Sequence, residues 1–453
     1  MSLIEGLLIF FTIIATYLAI VVILHKKGIF KKLNISFMGP ALMWRTKRGI
    51  DFLNRIAKKK RFWKAFGSTS IIVCFATMIL MTTLLIWQAW FVIGFTPEQK
   101  AALPGPEIAL ILPGINPILP LEFIGYIILA FIVAIIVHEF SHGILTIVSK
   151  LKVKSLGILY LIIPIGAFCE PDEESLKKAR TKSRMRIYAA GPTANFIVVL
   201  ISILFFSFVL MSSVQPAADG ICVIHVGEDT PAEEAGLLPG MIITDINGTQ
   251  TINISEFYFA MEKTRSNQSV NLSFVKAEKR FTKQIVLADK YNYTNNLSHI
   301  GQGYLGIGPS EIHKGFLSVL KNPFMSFPDG FLLFYIIPLW GYFQGYNPIV
   351  SPFTDSFVIT GVLGSIPSEI FWVIINALYW IFWLNFAVAL FNVLPMIPLD
   401  GGFLFNDALG SLVKRIRKGI SDEHREKIVK NASLALSLTV LILILLPFLI
   451  KYI

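Results

Sequence analysis

Two histidines and a glutamate lie close together in one apolar stretch of the sequence, His138-Glu139-Phe140-Ser141-His142. On a helix, residues four apart face the same side, so both imidazoles can reach a single metal ion. Zinc accepts imidazole nitrogen at about 2.0–2.1 Å. The glutamate between the histidines is close enough to act as general base on water at the metal. The spacing therefore predicts a catalytic zinc site with His138 and His142 as ligands and Glu139 as the base.

The pentapeptide is short enough to occur by chance, but its surroundings argue against that reading. It lies near the end of the long apolar stretch Phe123–Val148. A charged residue inside a membrane span costs roughly 2.5–3.5 kcal/mol, so such residues are rare without a function. The position therefore favours the zinc site.

A catalytic zinc needs a third protein ligand and one open position. Asp400 is the candidate, because it ends a later apolar stretch and should lie at the same membrane depth. Pro395 and Pro398 would unwind the helix end, and Gly401-Gly402 allows close backbone approach. From these residues alone, an ordinary helix-terminating turn that holds an aspartate explains the pattern equally well.

Together these residues resemble the site-2 proteases, a family of intramembrane zinc metalloproteases. The family pattern joins H-E-x-x-H on one span to N-x-x-P-x-x-x-x-D-G on a later one, and the later motif is matched by Asn392, Pro395, Asp400 and Gly401. A third element is similar to Gly191-Pro192-Thr193-Ala194-Asn195.

The resemblance implies a role for each matched polar residue. It makes His138, His142 and Asp400 the ligands of one Zn²⁺ per chain and Glu139 the acid and base catalyst. It also implies that Asn392, and with it Asn195, binds substrate or stabilises the oxyanion. Hydrogen bonding between helices is the alternative role for an asparagine in a span, and we favour it for Asn195.

The composition is typical of a membrane protein. Of 453 residues, 54% are apolar and 15% are charged, against about 45–50% and 25% in soluble domains. The net charge of +11 comes largely from basic runs beside apolar stretches, as the positive-inside rule expects, and does not indicate nucleic acid. The three cysteines, Cys74, Cys169 and Cys222, lack the spacing of a metal site or a disulfide framework.

We predict a polytopic α-helical membrane protein with six crossings and both termini outside, which places the zinc site near the cytoplasmic side. The predicted spans are Leu3–Leu24, Ser70–Phe95, Phe123–Val148, Ile187–Met211, Glu369–Leu394 and Leu434–Ile450. Phe331–Ile349 is apolar but broken by proline and glycine, so we expect it to be re-entrant or interfacial. Leu156–Phe168 is too short to cross, and we expect a strand or hairpin that dips into the membrane and pairs with an unwound substrate.

Residues 215–308 have short β-like runs and turn signals, which predict an extracytoplasmic α+β insert. The insert resembles a PDZ domain in Thr230-Pro231-Ala232, Ala235-Gly236-Leu237, Pro239-Gly240-Met241-Ile242-Ile243 and Ile246-Asn247-Gly248. Met241 stands where that family usually has an acidic residue. The insert either binds a peptide terminus by strand addition or limits access by size, and the sequence does not choose between these roles.

The predicted organisation has six parts. They are an N-terminal pair of spans with a basic loop (1–95), the first part of the catalytic core (96–214), the PDZ-like insert (215–308), a linker with the re-entrant segment (309–368), the second part of the core (369–402), and a basic segment with the last span (403–453).

The predicted activity is intramembrane proteolysis of membrane-anchored substrates. The expected partners are the lipid bilayer and single-pass proteins already shortened by another protease, and no nucleic acid is expected. The alternative is a non-proteolytic zinc transporter or scaffold, since transporters also place histidines and acids at membrane depth. A transport site does not require Glu139 beside the ligands, which favours the protease.

Overall fold

The structure is a computed structural model that describes residues 3–38, 41–109, 114–160, 164–417 and 419–452. Side chains at 3–11, 13, 14, 38, 109, 164 and 165 lie outside this description.

The helices are α1 (Leu3–Lys26), α2 (Ile29–Lys32), α3 (Ile50–Ile56), α4 (Lys60–Ile93), α5 (Pro97–Ala101), α6 (Ile124–Val148), α7 (Glu173–Lys178), α8 (Thr181–Leu204), α9 (Pro231–Glu234), α10 (Ile254–Glu262), α11 (Tyr291–Thr294), α12 (Ile312–Lys321), α13 (Asp329–Tyr335), α14 (Ile337–Gln344), α15 (Ser368–Asn392), α16 (Asp400–Ile416) and α17 (Asp422–Ile450).

The strands are β1 (Ile35–Met38), β2 (Ala41–Thr46), β3 (Val153–Tyr160), β4 (Pro164–Pro171), β5 (Val214–Pro216), β6 (Ile221–Val226), β7 (Ile242–Ile246), β8 (Thr249–Gln250), β9 (Ser269–Lys276), β10 (Lys279–Val286), β11 (Ala288–Asp289), β12 (Gly303–Tyr304), β13 (Ile307–Ser310) and β14 (Phe357–Ile359).

Five helices in the described part of the chain are long and apolar enough to cross a membrane. They are Lys60–Ile93, Leu121–Val148, Thr181–Ser213, Ser368–Asn392 and Asp422–Ile450. Each overlaps one of the predicted spans, which confirms those five apolar helices. The remaining predicted span, Leu3–Leu24, falls on α1, but most side chains of its first half lie outside the described residues, so six crossings stay a prediction.

The chain divides into two compact units. The metal-site unit comprises residues 1–105, 131–198 and 384–453, and the sheet unit comprises 106–130 and 199–383. Each unit is described separately below.

The metal-site unit contains a four-stranded antiparallel sheet in the order β1-β2-β3-β4. The hairpin expected within Leu156–Phe168 is present as β3 and β4, with Leu156 opposite Cys169. Strands β1 and β2 were not predicted, because they are short apolar runs inside a basic segment that indicated a loop. Among the described residues, β4 pairs with β3 alone and is therefore an edge strand.

Two buried apolar clusters hold the helices of the metal-site unit together. One joins α3, α6, the β3–β4 hairpin and α8, and includes Leu53, Leu145 and Ala190. The other joins α4, α8 and α16, and includes Cys74, Ala189 and Leu404. Because α8 contributes adjacent residues to both clusters, its position is fixed from two sides.

The sheet unit contains a six-stranded antiparallel sheet in the order β10-β9-β7-β6-β13, with β8 paired to β7. The β-like runs of the predicted insert, at 221–226, 270–275 and 283–287, fall on β6, β9 and β10. Asn247 and Gly248 connect β7 to β8 with φ of 51° and 79°, the left-handed conformation that tight hairpin turns require. Met241 is buried in the apolar core of this sheet. The PDZ resemblance of the region stays a prediction.

The apolar segment 331–349 contains the end of α13 and the short helix α14. The two helices meet at Ile336, and α14 ends at Gly345, whose φ is +67°. Neither helix has the roughly 20 residues that a full crossing requires. A re-entrant or interfacial placement stays a prediction.

Candidate metal centre

The two histidines of the pentapeptide lie on one face of α6. Their ring centroids are 4.8 Å apart and the rings are nearly perpendicular. Both side chains are largely buried, with 10% exposure for His138 and 12% for His142. The helical spacing thus brings the two imidazoles together as the sequence suggested.

Asp400 meets both histidines although it lies 258 residues beyond His142 in the chain. Its Oδ2 is 3.0 Å from Nε2 of His138 and 3.1 Å from Nε2 of His142. These three residues form the sole group of three or more potential metal ligands in the described residues, with ligand atoms within 4.8 Å of one another. The structure therefore brings together all three of the predicted zinc ligands.

The backbone before Asp400 has the close packing that the glycine pair was expected to allow. The chain leaves α15 at Asn392, turns, and begins α16 at Asp400. A Cβ on Gly401 would lie 2.2 Å from the carbonyl oxygen of Val393, and a Cβ on Gly402 would lie 2.6 Å from the carbonyl carbon of Met396. Any larger residue would push α16 away from this turn and move the aspartate.

The second nitrogen of His142 is also fixed. Nδ1 lies 2.7 Å from the carbonyl oxygen of Ile187 on α8. A carbonyl only accepts, so Nδ1 carries the donated proton, and a neutral ring then has a lone pair on Nε2. That lone pair faces the Asp400 carboxylate at 3.1 Å, an arrangement that needs a proton or a cation between them. A hydrogen bond from the second nitrogen to a carbonyl is the usual support of a metal-binding histidine.

The arrangement fits zinc. Two imidazole nitrogens and one carboxylate oxygen form a donor set typical of catalytic zinc, which leaves a position open. Ligand atoms bound at 2.0–2.1 Å by a tetrahedral ion lie about 3.3 Å from each other. The distances from Oδ2 of Asp400 to Nε2 of His138 and of His142, 3.0 Å and 3.1 Å, are close to this value.

Gly191 on α8 leaves free space beside these nitrogens. A Cβ there would lie 2.5 Å from Nε2 of His142 and 2.7 Å from Nε2 of His138. Any side chain at this position would occupy the space next to the ligand atoms. The glycine thus provides the room that an ion and its open position require.

Glu139 is held by the edge strand of the sheet. Its Oε2 accepts a hydrogen bond of 2.8 Å from the backbone N–H of Cys169 on β4. The burial of Cys169 raises the pKa of its thiol to about 12, so the residue contributes its backbone here and not a thiolate. This bond fixes the direction of the glutamate.

An ion pair connects α8 and α16 beside the candidate ligands. Arg184 donates from Nη2 to Oδ1 of Asp407 at 2.5 Å and from Nε to Oδ2 at 2.9 Å. Asp407 lies two turns after Asp400 on α16, and Arg184 lies two turns before Gly191 on α8. The pair therefore sets the position of α16 relative to α8.

The two asparagines differ in their contacts. Asn392 ends α15, and its Nδ2 donates to the carbonyl of Val388 in the same helix at 3.0 Å. Asn195 lies one turn after Gly191, is fully buried, and has no hydrogen-bond partner for either amide atom among the described residues. The substrate-binding roles inferred for both residues stay predictions.

Sequence reasoning did not assign roles to Gly191, the Ile187 carbonyl, the Cys169 N–H or Arg184. The glycine was visible as part of the third family element, but its importance depends on how α8 packs on α6. The two backbone groups leave no signal in a sequence, because every residue but proline carries both.

Comparisons with known proteins agree with this geometry. A model of peptidase family M50 matches residues 126–440, which include all the candidate ligands. An uncharacterized protein of Methanocaldococcus jannaschii is 28% identical over 407 residues, which cover 89% of this chain and 87% of that protein. The family is generally zinc-dependent and membrane-embedded, in keeping with the five apolar helices. Because the match spans well over half of its length, the chain belongs to peptidase family M50, the site-2 protease family of membrane metalloproteases.

Proposed function

We propose that this protein is an intramembrane zinc endopeptidase that cleaves transmembrane segments of membrane-anchored proteins. The observation that carries the proposal is the convergence of His138, His142 and Asp400 next to a glutamate. Two of these ligands lie on an apolar helix long enough to cross a membrane. A buried group of this kind is costly in a membrane and is expected to be kept for function.

The three ligands would hold the ion, and the chain supports two of them. His142 is held by the Ile187 carbonyl, and Asp400 by the packing of Gly401 and Gly402 against the preceding turn. A bound zinc ion supplies Lewis acidity for attack of water on a peptide carbonyl. Gly191 keeps the space beside the ligand atoms free for the reacting groups.

Glu139 handles the protons of the reaction. It accepts a proton from the attacking water and delivers it to the peptide nitrogen, so that the C–N bond breaks and an amine leaves. One carboxylate oxygen is held by the Cys169 N–H, which fixes the direction of the other. This role is supported by position, since Glu139 adjoins a candidate ligand on the same helix.

The edge strand β4 is suited to hold a substrate in extended form. The Cys169 N–H bonds to Glu139 and not to β3, so it points to the free edge of β4. In an antiparallel strand every second residue points its N–H and C=O in the same direction, so those of Ala167 also face this free edge. A substrate helix must unwind before cleavage, and strand addition at this edge binds its backbone without demanding sequence.

Two substitutions at Ala167 test strand addition. Ala167→Pro removes the N–H on the free edge and should slow cleavage, whereas Ala167→Val keeps it and should not. Equal cleavage by both variants in a reconstituted assay would rule out strand addition at this position.

Topology and partners follow from charge and from the reaction. The basic segments after α1 and in α16 support a cytoplasmic location for these parts and for the zinc site, by the positive-inside rule. The PDZ-like region then lies outside, where it excludes substrates with bulky ectodomains or binds a peptide terminus. The substrates are single-pass proteins already shortened by another protease.

The test compares purified wild type with Glu139→Gln, which keeps the size of the side chain but cannot act as a base. Zinc content and cleavage of a model single-pass substrate are measured on both. We expect one zinc per chain in both proteins and cleavage within the span by the wild type only. Equal cleavage by both, or zinc without cleavage by the wild type, would favour a different base or the transporter and scaffold alternative.

A further inference from the structure

An open cavity of about 930 Å³ lies against β1, β2 and the start of β3 in the metal-site unit. Its lining is strongly basic. The charged side chains around it are Lys31, Arg45, Lys47, Arg48, Lys154 and Glu170. None of them takes part in the proposed reaction, so the cavity calls for a separate explanation.

Two of the five basic side chains are already paired. Nε of Arg45 lies 3.1 Å from Oε2 of Glu170, and Nζ of Lys154 lies 2.9 Å from Oδ1 of Asp172. The remaining three, Lys31, Lys47 and Arg48, have no ion-pair partner in the parts of the chain that the structure describes, and all three are exposed. The cavity therefore offers three unneutralised positive charges to a ligand.

Chain connectivity places the cavity close to the end of α1. Its lining begins at Phe30, four residues after α1 ends at Lys26, and four residues span at most about 14 Å. Ring contacts fix this junction: Phe37 of β1 lies 5.2 Å from His25 of α1 and 5.6 Å from Phe30. If α1 crosses the bilayer as its apolar sequence predicts, the cavity lies at the membrane surface.

Apolar side chains are exposed beside the unpaired charges. Leu33 is 52% and Trp44 is 41% exposed, and both line the cavity. Exposed tryptophan among lysines and arginines is typical of the interface between lipid and water. A soluble phosphate compound does not need these apolar side chains, whereas a lipid presents glycerol and acyl carbons next to its phosphate.

We propose that this cavity binds the phosphate group of an anionic membrane lipid. Lys31, Lys47 and Arg48 neutralise the headgroup, and Leu33 and Trp44 contact its glycerol and proximal acyl carbons. Basic pockets at the cytoplasmic end of membrane helices have this chemistry. The proposal is independent of the zinc site and rests only on the predicted crossing of α1.

The test titrates full-length protein in an uncharged detergent with short-chain phosphatidylglycerol and measures affinity by microscale thermophoresis. Each basic residue near a lipid surface contributes about fivefold in affinity, so Lys47→Ala with Arg48→Ala should weaken binding on the order of 30-fold. Lys47→Arg with Arg48→Lys keeps both charges and should bind as wild type, which separates loss of charge from misfolding. Lys58→Ala with Arg61→Ala removes two exposed charges outside the cavity lining, and should change affinity less than about threefold.

Two further ligands identify the source of the phosphate. Phosphatidylcholine, whose headgroup has no net charge, should bind at least tenfold more weakly than phosphatidylglycerol. Inorganic phosphate should not displace the lipid at millimolar concentration. Displacement by inorganic phosphate would contradict the lipid assignment and favour a free phosphate as the ligand. An equal loss of affinity in the two double-alanine variants would show that the cavity is not the binding site.

Discussion

The apolar core around β7 and the interior around the candidate ligands bury different kinds of side chains. The sheet around β7 has a core of fifteen buried residues, all apolar, among them Leu272 and Ile243. The metal-site unit buries His138, Asn195 and most of Asp400 between its apolar clusters. In the described residues, the group of potential metal ligands occurs in the metal-site unit alone.

The apolar core around β7 serves stability, and the polar interior around the candidate ligands is suited to chemistry. Apolar burial stabilises a fold in proportion to the area removed from water. Buried polar atoms without partners, such as Nδ1 of His138 and the Asn195 amide, destabilise it instead. Proteins keep such costs mainly at functional sites. Substitutions should therefore separate these two interiors, with chemistry lost around the ligands and stability lost in the core around β7.

The largest effect is expected from Gly191→Val. The new side chain would begin 2.5 Å from Nε2 of His142 and fill the space for the ion, so we expect zinc and activity to be lost together. Zinc analysis of the purified variant checks this. Gly125→Val on α6 is the matched control, because a Cβ there meets no atom within 4 Å. A Gly191→Val protein that retained zinc would contradict the role given to this glycine.

In the sheet unit, Leu272→Ala should cost stability and leave the metal unaffected. Leu272 is fully buried in β9, and removing a core leucine costs about 2–5 kcal/mol. Hydrogen exchange of the β9 amides should accelerate accordingly, with zinc content unchanged. Gln284→Ala on the exposed face of β10 should change exchange little. Loss of zinc in Leu272→Ala would show that the two interiors are not separable.

A smaller effect is expected from Arg184→Ala. Losing the ion pair with Asp407 frees α16 to shift, and residues that orient metal ligands typically contribute 10–100-fold to metal affinity. Competition with a chelator measures the change. Lys182→Ala, an exposed residue two positions earlier, should have no effect. Arg184→Asp combined with Asp407→Arg should recover part of the affinity, unless Arg184 acts by another route.

The smallest effect concerns acid stability of the sheet unit. Burial lowers the pKa of His313 on α12 to about 4 from the ordinary 6.5. Between these values the unfolded state binds a proton that the folded state does not, so the free energy of unfolding decreases as the pH falls from 6.5 to 4. His313→Leu should lack this pH dependence. Hydrogen exchange of α12 at pH 7 and pH 5 compares the two proteins, and equal sensitivity to acid would exclude His313 as the cause.

Sequence reasoning succeeded where one element or one local pattern carried the information. The helical period places His138 and His142 on one face, and apolar length identifies the five described helices that are long and apolar enough to cross a membrane. The strand runs at 221–226, 270–275 and 283–287 in the sheet unit follow from local chemistry.

It failed where the answer depends on packing between distant elements. Whether Asp400 is a ligand was undecided from its own neighbourhood, because only the packing of α16 brings it 3.0 Å from His138. The hydrogen bond from the Cys169 N–H to Glu139 is made by a backbone group, so the type of residue at position 169 does not predict it. Strands β1 and β2 were not predicted because the basic residues around them indicated only a loop.

The central claim is that His138, His142 and Asp400 together hold one zinc ion, and the most direct test is zinc stoichiometry combined with zinc X-ray absorption on full-length wild type and Asp400→Ala. We expect one zinc per wild-type chain, bound by two imidazoles and oxygen, and loss of that zinc in Asp400→Ala. A wild type without zinc, or an Asp400→Ala protein with the same zinc content and the same ligand spectrum, would contradict the claim.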